Sequence, residues 1–469
     1  MRRFSAIPFV LAALATACGG SDSTGSTGGT TADTVVNHIS VTGSSTVLTP
    51  GQQVTLTATA LNAADSSLSR AFVWSSSASP IASVSTSGVV TAVTAGTATI
   101  MATTGTKFGT IVITVSTASG GSDTFADITA GYDYNTCGRA LNGPSLCWGH
   151  NIAGQLGDST TFNRLVPTAV AGGHTFTQLA TSAMRTCGLL NTGAAYCWGQ
   201  GPLGDGTTNT TSAPVAVSGG LSFVQIVVGS VVICGRTGAG AAYCWGALTD
   251  GGIGDGTGLD RLTPTAVTGG LSFTELSAAG LSVCGRTSAG AVYCWGRNVS
   301  GQLGDGTNTQ RNAPVAVAGG LTFAHVYTGY DHTCAITGAG AAYCWGTDTD
   351  GELGDGTTVL SRNTPTLVST GLVFTQLALG TFHTCGLSTS ATAYCWGANS
   401  FGQLGDGGTT PHVTPTATAS GRTFVKIVAG HVHTCGLNSL GVAFCWGDNV
   451  YGELGDGTMF NRPAGAVVQ

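Results

Sequence analysis

The stretch that decides the fold is CWGRNVSGQLGDGT, at residues 294–307. Its Cys-Trp-Gly start occurs seven times, at intervals of 50, 47, 50, 50, 51 and 50 residues, beginning at Cys147, Cys197, Cys244, Cys294, Cys344, Cys395 and Cys445. A fixed period of this length is typical of the blades of a propeller. The stretch is therefore one unit of a repeat array rather than an isolated motif.

Each unit contains four short segments with the composition of β-strands. A segment such as Phe273–Leu276 comes first, a strand with the first Cys follows, a third strand ends in Cys-Trp-Gly, and a strand such as Ala313–Val317 comes after the Gly-rich turn. Four strands per unit is the pattern of a propeller blade. Seven units fill residues 125–469, and an open array would require capping repeats, which are missing from the sequence. We therefore predict an all-β fold with a closed seven-bladed β-propeller. Whether the first blade takes a strand from the C-terminus stays open.

Residues 35–116 have a different sequence pattern. Val54, Leu56 and Ala58 alternate there with threonines. This period of two and the short runs between turns predict an N-terminal β-sandwich, with Trp74 as a core residue. The segment resembles a group 2 bacterial immunoglobulin-like (Ig-like) domain through the runs at 74–77, 81–84, 88–92 and 95–100. In that family such domains are spacers or adhesive modules of cell-surface proteins.

The first residues have the pattern of an export signal. Arg2 and Arg3 precede an apolar stretch that is too short to span a bilayer, and Ala15-Thr16-Ala17 fits a cleavage site before Cys18. The pattern resembles a bacterial lipoprotein signal, although Leu stands four residues before the Cys rather than three. We predict a signal peptide at 1–17, lipid attachment at Cys18, a Gly/Ser/Thr tether at 18–34 and a linker at 117–124. Ordinary secretion after residue 17 is the alternative.

Composition excludes one class of partner. Charged residues make up 8% of the chain, the net charge is −6 and no basic block is present. The sequence therefore lacks the cluster of positive charge that binding to a nucleic acid backbone requires. Contact with a membrane is expected only through the lipid anchor.

Fourteen of the fifteen cysteines form pairs separated by ten residues across a predicted hairpin. Such a separation around a three-residue loop places both Cβ atoms on one face of the sheet, where a disulfide can close. Buried thiols are the alternative, whereas two Cys per blade are too few for zinc. The predicted disulfides are Cys137–Cys147, Cys187–Cys197, Cys234–Cys244, Cys284–Cys294, Cys334–Cys344, Cys385–Cys395 and Cys435–Cys445.

Two other repeated features favour scaffold roles. Each unit carries one Asp in its Gly-rich turn, a pattern that matches no calcium loop and that suits an Asp capping a turn. The repeated Trp residues favour packing between blades, because a binding site requires asymmetry. The turn acids are Asp158, Asp205, Asp255, Asp305, Asp355, Asp406 and Asp456.

The Trp-Gly, Gly-Gln-Leu-Gly and Gly-x-x-His-Thr segments together resemble the regulator of chromosome condensation repeat family. The resemblance spans all seven units and implies a seven-bladed propeller. The best-known activity of that family is nucleotide exchange on the GTPase Ran, with chromatin binding. We do not expect a Ran-type GTPase as partner, because unit lengths of 47–51 residues leave no room for a long inserted wedge and the chain is predicted to be exported.

The units differ most just before their first Cys, in segments expected at one end of the central channel. Aromatic, Asp, Arg and His residues at such a place are typical interface material. The alternative for the His residues of the His-Thr segments is a framework role with hydrogen bonds inside the blade. The candidate binding face comprises Tyr132, Asp133, Tyr134, Arg185, Tyr330, Asp331, His332, Phe382, His383, His431 and His433.

We predict an exported, monomeric binding protein of the bacterial envelope or exterior, with an unidentified protein or glycan as partner. Secreted members of the propeller family include an inhibitor of β-lactamases, so enzyme inhibition is one version of this function. An adhesin or envelope-structural protein is the second hypothesis, and a lyase or glycan-active propeller enzyme the third. The sequence contains no catalytic constellation, and we expect no cofactor and no metal.

Overall fold

A computed structural model of the chain describes residues 34–43, 46–48, 53–94, 96–115, 123–247 and 250–469. The predicted signal peptide, Cys18 and most of the tether and linker lie outside these residues. The chain divides into two compact units, residues 1–117 and 118–469. In the described part, no helix is long and apolar enough to cross a membrane.

The first unit is a sandwich of two sheets, in the strand orders β1-β3-β7-β6, with β4 on β3, and β2-β9-β8-β5. Val54, Leu56, Ile100 and Ile113 form the core between them, and Trp74 packs against it. The alternating pattern of the sequence is therefore the inward face of the sheets. Its strands are β1 His38–Gly43, β2 Val47–Leu48, β3 Gln53–Leu61, β4 Ser67–Leu68, β5 Val73–Ser76, β6 Ala82–Val84, β7 Val89–Ala92, β8 Gly96–Thr104 and β9 Lys107–Val115.

The second unit contains seven four-stranded antiparallel sheets, which we call blades 1 to 7 in chain order. The predicted all-β fold, a seven-bladed propeller after an Ig-like sandwich, is confirmed. Blades 1 to 3 contain β10 Phe125–Ala130, β11 Asn135–Ala140, β12 Ser145–Gly149 and β13 Arg164–Ala169; β14 Phe176–Ser182, β15 Arg185–Leu190, β16 Ala195–Gly199 and β17 Thr211–Ala216; and β18 Phe223–Val228, β19 Val232–Thr237, β20 Ala242–Gly246 and β21 Arg261–Ala266.

The other four blades repeat this order without a break. They contain β22 Phe273–Ala279, β23 Ser282–Thr287, β24 Val292–Gly296 and β25 Arg311–Ala316; β26 Phe323–Thr328, β27 His332–Thr337, β28 Ala342–Thr347 and β29 Ser361–Leu367; β30 Phe374–Leu379, β31 His383–Ser388, β32 Ala393–Gly397 and β33 His412–Ala417; and β34 Lys426–Ala429, β35 His433–Leu437, β36 Ala443–Gly447 and β37 Arg462–Val467.

Each blade is stapled by one disulfide between its second and third strands. Cys137 stands directly opposite Cys147 in the β11–β12 ladder, with their Cα atoms 4.1 Å apart. The hairpin between them has a three-residue loop, because the backbone N–H of Ala140 donates a hydrogen bond to the backbone oxygen of Pro144. The other six predicted pairs have the same separation of ten residues and are also disulfides.

Alkylation of the native protein should modify none of these fourteen cysteines. All fourteen are fully buried and paired, so an alkylating reagent reaches them only after reduction and unfolding. The measurement is the mass of the protein after iodoacetamide treatment in a denaturant that unfolds it, with and without prior reduction. Fourteen alkylated cysteines in the unreduced sample would contradict the disulfides.

Neighbouring blades are joined by the repeated Trp residues. The indole Nε1 of Trp345 donates a hydrogen bond to the backbone oxygen of Gln302, in the Gly-rich turn of the preceding blade, at 3.0 Å. In the same turn Gly304 has φ +69°, and a Cβ there would lie 2.6 Å from that indole nitrogen. Only glycine fits both the backbone and the ring, which explains the second Gly of Gly-Gln-Leu-Gly.

The ring closes without exchange of a strand between its ends. β37 pairs with β36, so blade 7 consists of four consecutive strands, as does every other blade. The ends meet through Trp148 of blade 1, which donates to the backbone oxygen of Glu453 at 2.9 Å, and through an ion pair between Lys426 and Asp127. The backbone N–H of Phe125 also donates to Gly441 at 2.7 Å.

Candidate binding face of the propeller

Two sets of loops lie at one end of the ring. In an antiparallel blade the connection from the first to the second strand and the connection from the third to the fourth strand emerge at the same end. We call them the inner and the outer loops, and that end the loop face. Contacts between them support this placement: the rings of Tyr134 and Tyr451 lie 5.2 Å apart, and His150 Nδ1 lies 2.9 Å from Asp133 Oδ2.

The His of each His-Thr segment joins one blade to the next. His332 Nε2 lies 2.9 Å from Thr384 Oγ1, and that hydroxyl donates to the backbone oxygen of Glu352. Because the hydroxyl proton is used, the imidazole must donate from Nε2. His383 and His433 make the same bonds to Thr434 and Thr136.

These three imidazoles are buried, and burial lowers the pKa of each to about 3. They are therefore neutral links between blades. The Gly of Gly-x-x-His is explained by the same packing, since a Cβ on Gly380 would lie 2.2 Å from the His383 ring. The structure thus places His332, His383 and His433 in the framework, as the alternative had it, but their hydrogen bonds join neighbouring blades instead of staying inside one blade.

Arg185 also lies inside the ring rather than on its surface. Its guanidinium donates to the backbone oxygens of Gln200, Ser230 and Gly201 at 2.6, 2.8 and 2.7 Å. Burial lowers the pKa of this guanidinium to about 10. The side chain therefore holds the outer loop of blade 2 against the inner loop of blade 3.

Tyr132 lies across the mouth of the central channel. Its hydroxyl donates to the backbone oxygen of Leu379 in blade 6 at 2.6 Å, and its ring lies 6.1 Å from that of Tyr330 in blade 5. Burial raises the pKa of its phenol. The first strands of all blades enclose a cavity of about 290 Å³ below it, with Thr129, Ala180, Val227, Ser277, Tyr327, Ala378 and Val428 among its lining residues.

The inner loop of blade 1, which carries Tyr132, is one residue longer than that of blade 5. Five residues separate Gly131 from Cys137, whereas four separate Gly329 from Cys334. The longer turn contains Tyr134 with φ +58°, a conformation that non-glycine residues adopt rarely. Blade 2 has an inner loop of the same length, between Thr181 and Cys187, but it carries Ser182 where blade 1 carries Tyr132. The asymmetry of the channel mouth therefore comes from the tyrosine and not from loop length alone.

The two predicted acids tie inner loops to outer loops. Asp133 accepts hydrogen bonds from His150 and from Gln155 Nε2, the latter at 3.2 Å. Asp331 accepts from Gln302 Nε2 at 3.0 Å and lies 3.9 Å from Arg297 Nε. Both carboxylates are partly exposed and serve first to fix the loops.

An aromatic run remains at the surface of blades 6, 7 and 1. The His431 ring lies 4.9 Å from Tyr134 and 6.0 Å from Phe382, and its Nδ1 lies 2.7 Å from Thr381 Oγ1. Desolvation lowers the pKa of His431, so the ring is neutral at pH 7. Tyr134, Phe382 and His431 are thus the predicted residues that the structure brings together at the surface, while Tyr330 meets Tyr132 at the channel.

The binding face predicted from the sequence includes no residue of the outer loops. Phe401 and Tyr451 occupy the position before Gly-Gln/Glu-Leu-Gly, where other blades have Ala153, Ser300 or Asp350. Their loops reach the loop face beside the aromatic run. A comparison of this one position between blades would have found them. Exposed apolar side chains of the outer loops of blades 7 and 1 are Val450, Met459 and Phe460 in blade 7 and Ile152 and Phe162 in blade 1.

The turn acids fulfil the structural role predicted for them. Asp305 Oδ1 accepts from the backbone N–H and the hydroxyl of Thr307, and its other oxygen accepts from Arg311 Nε at 2.8 Å. The same arrangement recurs at Asp158, Asp255 and Asp456. Among the described residues, no group of three or more His, Cys, Asp or Glu could hold a metal ion.

The stapled seven-bladed ring has an uneven loop face, an architecture that suggests a binding platform. The model of the regulator of chromosome condensation (RCC1) repeat matches residues 289–336, 339–387 and 391–437, and a second model of that repeat matches 323–352, 374–403 and 424–453. The bacterial Ig-like domain (group 2) model matches residues 35–115. The chain therefore contains RCC1 repeats in its propeller and a group 2 bacterial Ig-like domain before it.

Solved structures with similar folds include Prp20p from Saccharomyces cerevisiae, at 18% identity and a TM-score of 0.63, over 69% of this chain and 85% of that chain. That structure is described together with the binding of Prp20p to Gsp1p and histones. Human WBSCR16 is 20% identical, with a TM-score of 0.63, over 69% of this chain and 93% of that chain. At these identities the likeness shows the fold alone. No curated protein matches the chain.

Proposed function

We propose that this protein is an extracytoplasmic, membrane-anchored binding protein that holds a protein partner on the loop face of its propeller. The observation that carries the proposal is the concentration of exposed aromatic and apolar side chains in three adjacent blades. Large apolar side chains exposed together on a soluble surface are typical of interaction sites. Propellers of this repeat type are typically non-catalytic binding or regulatory proteins.

We call this surface the aromatic sector. Its members come from the inner and outer loops of blades 6, 7 and 1. The outer loops of blades 3, 4 and 5 also expose apolar side chains, Leu259, Val299 and Leu360, but the outer loops of blades 2 to 5 contain no aromatic residue. Phe162 and Phe460, 71% and 72% exposed, occupy equivalent positions of blades 1 and 7. Aromatic anchors of this kind dominate binding energy in protein interfaces. The sector consists of Tyr134, Ile152, Phe162, Phe382, Phe401, Val450, Tyr451, Met459 and Phe460.

Three features support the location. Seven disulfides and a bacterial Ig-like domain are consistent with an exported protein, because disulfides persist in oxidising compartments. In this proposal the export signal and Cys18 provide the membrane anchor. The Gly/Ser/Thr tether sets the distance between the anchor and the folded domains. The Ig-like domain then serves as a spacer.

Replacing two aromatic anchors with aspartate should abolish partner binding. The Phe401→Asp/Phe460→Asp variant is expected to bind the captured partner at least 100-fold more weakly, because charge replaces the largest exposed rings. The fold should survive, since blade 5 has Asp350 at the position of Phe401. Binding is measured by surface plasmon resonance with the full chain and a partner purified by capture from native envelope extract.

The matched control is Leu440→Asp, also in blade 7. Leu440 is 77% exposed and lies in the hairpin between the second and third strands, at the end of the ring opposite the loop face. This variant should bind like the wild type. Equal binding by all three proteins would overturn the proposal, and capture that needs only the Ig-like domain would favour the adhesin hypothesis instead.

A further inference from the structure

The seam where the outer loop of blade 7 meets the inner loop of blade 1 contains two acids beside two tyrosines. Asp448 is 5% exposed and Glu453 is fully buried. Both carboxylates lie close enough to Tyr134 to help burial raise the pKa of its phenol to about 12. The ring of Tyr451 lies 5.2 Å from that of Tyr134, at an angle of 61°.

One oxygen of Glu453 has no protein partner. Oε2 accepts from the backbone N–H of Tyr451 at 2.8 Å, whereas the buried Oε1 has no hydrogen bond within the described residues. Blades 1 and 4 carry glutamine at this position, and the amides of Gln155 and Gln302 donate to Asp133 and Asp331. Blade 7 therefore has an acceptor where blades 1 and 4 have a donor.

At the equivalent seam, between blades 4 and 5, an arginine balances the charge of an acid. Arg297 follows Cys-Trp-Gly there and lies 3.9 Å from Asp331, whereas Asp448 follows Cys-Trp-Gly in blade 7. Among the described residues, no Lys or Arg forms a salt bridge with Asp448 or Glu453. The nearby His431 is held neutral by desolvation, and His150 is engaged by Asp133.

We propose that this seam binds the guanidinium group of an arginine side chain presented by the protein partner. Tyr134 and Tyr451 are partly exposed, and on the side of Tyr451 away from His150, whose ring lies 4.4 Å from it, the two rings offer the cation a stacking and cation–π surface. The carboxylate of Asp448 offers charge-assisted hydrogen bonds, and Glu453 adds negative potential from below. The inference rests on the proposed function and specifies the chemistry of the partner.

The energetics of the empty seam favour such a ligand. Desolvation raises the pKa of Asp448, and it raises the pKa of Glu453 to about 8, with the charge of Asp448 adding to the effect. Two carboxyl groups that are costly to ionise together become easier to ionise when a cation arrives. Binding of the cation should therefore release protons near neutral pH.

The test uses the full chain and two blocked peptides, acetyl-Gly-Arg-Gly-amide and its neutral isostere with citrulline in place of arginine. Saturation-transfer NMR should show binding of the arginine peptide at least tenfold tighter than that of the citrulline peptide. Asp448→Ala, which gives blade 7 the residue of Ala398, and Glu453→Gln should each weaken the arginine peptide about tenfold. Equal binding of the two peptides, or unchanged binding in both variants, would overturn the inference.

Glu352→Gln is the matched control, because blade 5 has a buried Glu at the same position with Thr347 in place of Asp448. This variant should leave peptide binding unchanged, and a tenfold loss here would contradict a site at the blade 7 seam. The partner assay separates the two proposals. A partner that depends on Phe401 and Phe460 but binds Asp448→Ala normally would retain the proposed function and eliminate the arginine site.

Discussion

Replacing Trp148 with alanine should lower the free energy of unfolding of the propeller by about 3–5 kcal/mol, the usual cost of removing a buried aromatic ring. Trp148 is fully buried and packs with Phe125, Leu454 and the Cys435–Cys445 disulfide of blade 7. Its ring therefore joins the first blade to the last. The measurement is urea unfolding of the oxidised protein, followed by circular dichroism.

Two tryptophan-to-phenylalanine variants distinguish the contribution of packing to stability from that of the indole hydrogen bond. The indole nitrogen of Trp148 donates to Glu453, whereas that of Trp245 is buried without a hydrogen-bond partner in the described structure. Trp148→Phe should therefore destabilise the ring by about 1 kcal/mol more than Trp245→Phe, which is the typical net value of one hydrogen bond. Equal losses would contradict the role assigned to this bond at the closure of the ring.

Raising the pH should destabilise the propeller through two buried glutamates. Desolvation raises the pKa of Glu352 to about 7 and that of Glu453 to about 8, from an ordinary value of 4.5. The folded state thus keeps protons that the unfolded state releases. Their stabilising contribution is complete below about pH 4.5 and is lost as the pH rises towards 8.

The Glu352→Gln/Glu453→Gln variant should lack this part of the pH dependence. At about 1.4 kcal/mol per pKa unit, the rises from 4.5 to about 7 and to about 8 together correspond to at most about 8 kcal/mol. Glutamine suits the position, because Gln155, Gln302 and Gln403 occupy it in other blades. Unfolding free energies of both proteins between pH 4.5 and 8 give the comparison. Parallel curves would refute the prediction, and Gln155→Glu should add a new slope of the same sign.

The sequence was sufficient to predict the fold, because the propeller consists of sequence repeats of nearly equal length. Seven equal units predicted seven blades, and the pairing of Cys137 with Cys147 followed from strand geometry alone. That the ring closes was predicted from the missing capping repeats, but how its two ends join could not be predicted in the same way. It depends on contacts such as Trp148 with Glu453, which are more than 300 residues apart in the chain and have no local pattern.

The candidate site was predictable only in part. The irregular inner loops correctly directed attention to Tyr134, Phe382 and His431, which meet at the surface. The sequence could not distinguish a surface His from a framework His, because the partner of His332 is a threonine 52 residues away in the next blade. The outer loops were overlooked because their glycines repeat in every blade, and this repetition concealed the variable position that Phe401 and Tyr451 occupy.

The disulfides have a consequence for how the protein acquires its covalent structure. Every bond joins a cysteine to the next cysteine along the chain, ten residues away, and none joins two blades. An oxidase that meets the chain from its N-terminal end can therefore close each bond as soon as one hairpin has passed. Counted from Cys137, the correct set of bonds is also the set that arises in simple order of appearance, so its formation should need little disulfide isomerase.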